Sequence, residues 1–370
     1  TDAVWRFDPA GGRVLAAGRL PGPVSDAAAV VTGGAAWLLG GEDGGRLATV
    51  TVLRLAAHPI RTAPADAPFQ GRLLIADRGN DRLLLVDAAR HVLWRYPSAG
   101  APAPPGGFYY PDDAFFVHHG TAIISNQEGN ETIVEIAFPS GRVRWRYGHP
   151  RVAGSRPGYL NEPDDAYLLR DGRVTVADAR NCRVLVIGPR GTTQIGASGR
   201  CAHDPPRGLG APNGDTPLAD GNLLVSEIRG SWIDEITPSG RLVWSVHLPI
   251  AYPSDPQQLG PDLYLVADYT RPGGIVEFTR EGHIVWTYRP RRGEAMLDHP
   301  SLAERLPSGL ICVNDDYRHR VVVIDPATRR IVWQYGRTDR AGTAAGLLNT
   351  PDGFDLLLPG GATPTHPQTG

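Results

Sequence analysis

Six prolines in this chain each lead a short run of oxygen-bearing side chains into apolar residues: PDDAFF at Pro111, PDDAYL at Pro163, PNGDTP at Pro212, PSDPQQ at Pro253, PSLAER at Pro300 and PDGFDL at Pro351. The residues directly after them are Asp112, Asp164, Asn213, Ser254, Ser301 and Asp352, and further carboxylates follow at Asp113, Asp165, Asp215, Asp255 and Asp355. A second series closes apolar runs at Asp77, Asn126, Asp178, Glu227, Asp268 and Asn314. Hard oxygens converging on one place suit Ca²⁺ or Mg²⁺, and an ion so held can polarise a carbonyl. Crowded carboxylates otherwise raise one another's pKa values until cations or donors compensate. The same residue types also cap turns through the backbone, with Arg78, Arg180, Arg207, Arg229, Arg271 and Arg318 as ion-pair partners. Residue types alone leave both readings open.

The elements that carry these residues are legible from their spacing. Asn126, Asp178, Glu227 and Asp268 each stand fifteen residues after their proline, and Asn314 stands fourteen after Pro300. An aromatic strand follows each, in VRWRYG at Trp145, LVWSV at Trp244, IVWTY at Trp286 and IVWQY at Trp333, with TQIGASG as a Trp-less version. Each unit thus predicts four short strands separated by turns, repeated six times, which is the pattern of β-propeller blades. The segment with Asp77 and Trp94 has the last three strands of a unit but no first, and the segment from Pro351 has a first strand with nothing after it. Pairing them closes the ring and removes exposed sheet edges. The Pro-Asp turns and the ends of the second strands then share one mouth of the central channel, with the Trp residues packing between blades.

The segments IADRGNDRLLLV and VADARNCRVLVI resemble NHL-repeat propellers, and the G-x-h-x-W-x-Y strands resemble quinoprotein-like (PQQ-type) propeller repeats. Residues 1–60, with the double glycine Gly40-Gly41 ending an apolar run, resemble one and a half Kelch repeats. The expected organisation is an all-β chain: partial Kelch-like strands over residues 1–60, a linker over 61–71, a six-bladed propeller over 72–360 and a flexible tail over 361–370. Propellers host many unrelated functions, so this resemblance implies architecture and not activity.

Composition agrees and excludes several partners. Gly (45) and Pro (34) exceed a fifth of the 370 residues, which favours strands and turns over long helices. A formal net charge of −2 without a basic run gives no general attraction to nucleic acid or anionic lipid. No apolar stretch approaches the roughly 18 residues of a membrane span. Metal-protease, nucleophile-elbow, phosphate-loop and paired CxxC motifs are lacking. His118 and His119 fall in a turn at the far end of a first strand, whereas His203 and His299 lie in loops on the mouth side and suit acid/base or ligand roles. Cys182 and Cys201 sit where antiparallel neighbours would bring them within disulfide distance, the alternative being two free thiols; a disulfide would place maturation in an oxidising compartment, and so an extracellular, periplasmic or cell-surface location. Cys312 reads as buried.

The expectation is therefore an exported propeller acting as a binding or scaffold module, its acidic mouth taking a polar ligand, a cation or a protein partner. The alternative is a divalent-metal hydrolase or lyase of the gluconolactonase and paraoxonase kind, Ca²⁺ being the expected ion; arylsulfotransferase-like and quinone-dependent activities rank lower. The predicted ligand set joins the residues after the prolines (Asp112, Asp113, Asp164, Asp165, Asn213, Asp215, Asp255, Asp352) to the second-strand ends (Asn126, Asp178, Glu227, Asp268, Asn314) and to His299. Asp113, Asp165, Asp215 and Asp268 form its predicted metal-holding subset.

Overall fold

The computed structural model describes residues 67–366 throughout and, before them, the backbone of five strands. The chain divides into two compact units, residues 1–62 and 63–370. In the first, Ala3–Asp8 pairs antiparallel with Arg13–Arg19, and Ala28–Thr32, Ala35–Leu39 and Val50–Arg54 form a three-stranded antiparallel sheet. The Kelch-like reading of residues 1–60 otherwise lies outside the described residues.

The second unit is a six-bladed β-propeller of four-stranded antiparallel sheets. Blade 1 joins the two ends of the unit: Pro351–Leu357 pairs with Arg72–Asp77, followed by Arg82–Asp87 and Val92–Tyr96. Blades 2 to 5 open with Pro111–Val117, Pro163–Leu168, Pro212–Pro217 and Pro253–Gly260, and blade 6 with the shorter Ala303–Arg305. Closure is thus by the pairing that the incomplete terminal units predict. Phe69, in the expected linker, is buried and packs edge-on against Trp333 of blade 6 at 5.1 Å.

One polar contact recurs in every blade. The residue ending the second strand accepts a hydrogen bond from the backbone N–H two residues before the proline that opens the first: Asp77 from Asn349, Gln127 from Tyr109, Asp178 from Asn161, Glu227 from Gly210, Asp268 from Ala251 and Asp315 from Asp298. This clamp fixes the loop that delivers each channel strand. The register corrects two sequence assignments, because the clamp residues of blades 2 and 6 are Gln127 and Asp315 and not Asn126 and Asn314. A shift of one residue turns a side chain to the other face of its strand, and Asn126 accordingly caps the N–H of Asp113 and donates to the Asp164 carbonyl.

In blades 1, 3 and 6 an arginine five residues on neutralises the buried clamp: Arg82 on Asp77 at 2.6 Å, Arg183 on Asp178 at 2.6 Å and Arg320 on Asp315 at 2.7 Å. The remaining guanidinium donors bond carbonyls of the adjoining loop, Ser155 and Tyr159 in the case of Arg183. These arginines, and not Arg180, Arg207 or Arg318, serve the second-strand ends; those three pair with Glu162, Asp204 and Asp339.

Neighbouring blades are latched to each other. The residue before the proline adopts a left-handed φ in Tyr110, Glu162 and Thr350, and its N–H is bonded by a side chain of the preceding blade, Asp81, Glu131 and His319 respectively. Trp94, Trp286 and Trp333 each donate their indole N–H to a turn carbonyl of the next blade. Removing one partner of a buried ion pair strands the other charge and costs about 3–5 kcal/mol. Arg183→Ala is expected to lower the denaturation free energy by that amount, read from urea melts, whereas Arg207→Ala, on an exposed pair, is expected to leave the melt almost unchanged.

Candidate functional site

The channel strands begin with an irregular pairing just after their prolines, between Ser125 and Gln127 opposite Pro111 and between Pro163 and Asp165. Such a bulge interrupts the strict alternation of side chains. Consecutive acids thereby occupy two levels: Asp112, Asp164 and Asp352 line the mouth, and Asp113 and Asp165 lie buried beneath. Close approach between blades is made possible by glycine: a Cβ on Gly353 would stand 2.0 Å from Asp113 Oδ1 and 2.6 Å from its Cα, and one on Gly214 would stand 2.9 Å from Asp255 Oδ1.

The mouth holds a cavity of about 200 Å³. Its centre is Arg78, 2.6 Å from Asp112, 2.5 Å from Asp352, 3.2 Å from Asp316 and 3.5 Å from Glu128. Asp164 also lines it, with Asn213, Ser254, Asp255 and Ser301, and four tyrosines, Tyr110, Tyr252, Tyr269 and Tyr317, wall it. Five carboxyls (Asp112, Asp164, Asp316, Asp352 and Glu128) therefore face one guanidinium. Burial pushes Asp112, Asp164 and Asp316 well above the usual carboxylate range, and neighbouring acids push further: Asp352 on Asp112 and Asp316, Glu128 on Asp164. Burial works against the charge on Arg78, but Asp352, Asp112 and Asp316 outweigh it and hold the guanidinium protonated.

Asp113 and Asp215, below the mouth, and Asp255, in its lining, are raised by burial and then by Asp165. Burial carries Asp165 itself to about 7, against the opposing pull of the Asp215 N–H and of His366. Several of these acids stitch adjacent channel strands: Asp165 accepts from the Asp215 N–H, and Asp355 from the Phe116 N–H. The floor of this layer is His366, from the segment expected to be a flexible tail. It is fully buried against Phe115 and Tyr167, with Nε2 2.7 Å from Glu304 and Nδ1 3.4 Å from Asp355. Those two carboxylates override the effect of burial and hold the imidazole cationic, with a pKa of about 10. Residues 367–370 lie outside the described residues.

The structure brings Asp112, Asp164, Asn213, Asp255 and Asp352 of the predicted ligand set to the mouth, and buries Asp113, Asp165 and Asp215 beneath it. It separates Asp178 and Asp268 from them. Asp178 is the blade 3 clamp, and Asp268 is the blade 5 clamp paired with Arg289. His299 bonds Asp298 at 2.7 Å behind Tyr269 and Tyr317. Asn314 is buried, its amide without a hydrogen-bond partner. Among the described residues, one group of His, Cys, Asp and Glu side chains has three ligand atoms within 4.8 Å of one another, and it is His203, Glu227 and Asp234 in blade 4. No three acids of the predicted metal subset come together in that way among the described residues. Cys182 and Cys201 form a disulfide with Cα atoms 5.1 Å apart, and Cys312 is a buried thiol. Sequence reasoning missed Arg78 as the centre of the mouth, the tyrosine wall and His366. The run YY before Pro111 was a signal for the wall, whereas nothing local marks His366.

Comparison with known proteins supports the architecture. Residues 198–350 match the PQQ-type repeat family described as outer membrane protein assembly factor BamB. No curated protein matches the chain. The fold is similar to that of a crystallised protein of unknown function from Bacteroides caccae, at 20% identity over 77% of this chain and 98% of that chain, with a TM-score of 0.55. It is also similar to a chain of the nidogen/laminin complex, at 13% identity over 76% and 97% of the two chains, with a TM-score of 0.53. Residues 63–370 form a six-bladed propeller, of which 198–350 are similar to PQQ-type repeats, and at these identities the property shared with the solved structures is the fold.

The buried acids make stability depend on pH. A carboxyl whose folded pKa is raised binds its proton more tightly in the native state, so its contribution is fully present below the unfolded value near 4 and is lost as pH rises through the folded value. With Asp165 at about 7 and the acids around it raised, the midpoint of urea denaturation is expected to fall between pH 5 and pH 8. Asp165→Asn is expected to flatten that slope; a midpoint that rises over the same interval excludes this account.

Proposed function

We propose that this propeller is an exported binding module whose channel mouth takes a small organic cation bearing an ammonium group. The observation that carries this reading is the excess of carboxyls over Arg78 inside a tyrosine-walled cavity. Carboxylates supply charge-assisted acceptors for N–H donors, and tyrosine faces attract an ammonium through their ring quadrupole. About 200 Å³ holds only a small ligand. Asp164 is the acid best placed to meet it: among the acids at the mouth, Asp164 and the buried Asp255 make no ion pair with Arg78, and of these two Asp164 is the partly exposed one.

The guanidinium of Arg78 argues against the rival reading of a Ca²⁺-dependent hydrolase at this mouth. Arg78 already lies within 2.6 Å of the acids that an ion there would need, so the ion would have to sit beside a fixed positive charge. Support for export comes from the disulfide, which forms in oxidising compartments, and from the similarity of residues 198–350 to an outer-membrane assembly factor.

Calorimetric titration with an alkyl diamine, CaCl₂ and a neutral hexose separates the readings. The diamine is expected to bind with one site per chain, and Asp164→Asn to weaken it about tenfold, equivalent to about 1.4 kcal/mol. Saturable binding of Ca²⁺ or hexose without the diamine, or no change with Asp164→Asn, overturns the proposal.

A further inference from the structure

Blade 4 departs from the charge pattern of the other blades. Its clamp is Glu227, at the end of Leu223–Glu227, and Asp234 follows in the third strand, Trp232–Ile236. Both side chains are fully buried. The position five residues after the clamp, occupied by Arg82, Arg183 and Arg320 in blades 1, 3 and 6, holds Trp232 here. The position three residues after it, occupied by Asn80 and Asn181 in blades 1 and 3, holds Gly230. Blade 5 recovers a cation through Arg289 and blade 2 uses the neutral Gln127. Blade 4 has two buried acids and no arginine on either.

The third member of the group is His203, from the loop between blades 3 and 4. Its Nδ1 lies 3.2 Å from Glu227 Oε1 and 3.8 Å from Asp234 Oδ2. Glu227 Oε2 is committed to the Gly210 N–H at 2.6 Å. The other polar atoms, Glu227 Oε1, both carboxylate oxygens of Asp234 and His203 Nδ1, are buried and converge on one another. A buried acceptor short of donors is costly, and more so when it is charged.

The imidazole is held in place from several sides. Trp232 stacks on it with ring centroids 3.9 Å apart and planes 3° from parallel. Ser245 Oγ lies 3.5 Å from Nε2, and the Cys182–Cys201 disulfide anchors the chain two residues upstream. Trp232 thus stands where an arginine would neutralise the clamp and instead orients a nitrogen ligand over it.

We propose that His203 Nδ1, Glu227 Oε1 and Asp234 bind one divalent transition-metal ion. A tetrahedral centre with bonds of 2.0–2.2 Å separates its ligand atoms by about 3.4 Å, and the observed 3.2 and 3.8 Å bracket that value. An imidazole with two carboxylates suits Zn²⁺ and its first-row neighbours, whereas Ca²⁺ and Mg²⁺ prefer all-oxygen shells. The His203 side chain is 22% exposed, which gives an ion a route past its ring to the buried ligand atoms. Because Glu227 also holds Gly210, two residues before the strand that carries Asn213 to the mouth, the ion would brace one wall of the channel opening.

The test uses the full chain, stripped with a chelator, titrated with ZnCl₂ by calorimetry and with CoCl₂ by visible absorption. One equivalent per chain is expected, with a ligand-field band for Co²⁺ that changes in His203→Ala. His203→Ala and Asp234→Asn spare the hydrogen bond to Gly210, so circular dichroism is expected to show them folded, with Zn²⁺ affinity reduced about tenfold or more. Glu227→Gln is the second arm: it keeps an acceptor for Gly210, removes one acid and is expected to lose the same affinity. Asp164→Asn, at the mouth, is expected to leave metal uptake unchanged, which keeps this result separate from that of the mouth ligand. Failure to take up Zn²⁺ or Co²⁺ at one per chain, a preference for Ca²⁺, or undiminished uptake in the variants overturns the proposal and leaves a proton shared between the two acids as the account of the cluster.

Discussion

The structure depends on one contact made six times, a side-chain oxygen at the end of each second strand holding a backbone N–H just ahead of each channel strand. The contact is short-range in sequence, bridging 17 or 18 residues in blades 2 to 6, so each blade can form it alone. Only in blade 1 does it join distant parts of the chain, Asp77 to Asn349, and there the same bond closes the ring. A buried carboxylate is a costly acceptor unless it is paired, and the arginine five residues on supplies both the charge and the donors that tie down the next loop. The D-x-x-N-x-R pattern of blades 1 and 3 is therefore a structural motif in which both carboxylate oxygens, the asparagine N–H groups and the guanidinium all have partners.

Fixing six loops in this way has a consequence at the axis. The residues after the prolines are delivered to one small volume, and most of them are acids. Three devices hold them together: Arg78 at the mouth, backbone N–H groups from neighbouring strands at the middle level, and the cationic His366 at the floor. Only the mouth keeps an excess of acid next to solvent. Of the deeper acids, Asp165 and Asp355 hold channel strands to one another, and the raised pKa values there are a cost of packing; at the mouth a carboxyl that holds its proton only because it is crowded can give that proton up to a cationic ligand.

Architecture was legible in the sequence because it is written in repeats. The prolines, the polar residue ending each second strand and the tryptophan strands all recur, and the two incomplete units at the ends predict their own pairing. The disulfide was legible because Cys182 and Cys201 sit at strand ends in one blade. Single-residue assignments were less secure: Asn126 and Asn314 are polar and near the right spacing, but the faces alternate at each step, and Gln127 and Asp315 carry the clamp. The arginines were misassigned for a similar reason, since proximity in sequence favoured Arg180 and Arg318 over Arg183 and Arg320, whose side chains reach back across the turn. His366 illustrates a different limit. Its role comes from acids on two separate channel strands, Glu304 and Asp355, and no local pattern encodes that meeting.

In a repeat protein, structural and available chemistry differ in whether the polar motif is complete. Where the motif is complete, as at Asp178 with Asn181 and Arg183, each oxygen has its donor and nothing remains to bind. Where it is broken, the cost of the clamp persists, because the loop still has to be held, and the missing cation must come from elsewhere. Blade 2 resolves this by giving up the charge and using Gln127. Blade 4 keeps Glu227, adds Asp234 and places a histidine over both, so its departure cannot be neutral drift of a surface position: two fully buried acids bear on the stability of the blade whether or not anything binds. A repeat that retains the costly acid and replaces only its partner marks the place where the fold has room for a charge that the chain itself does not provide.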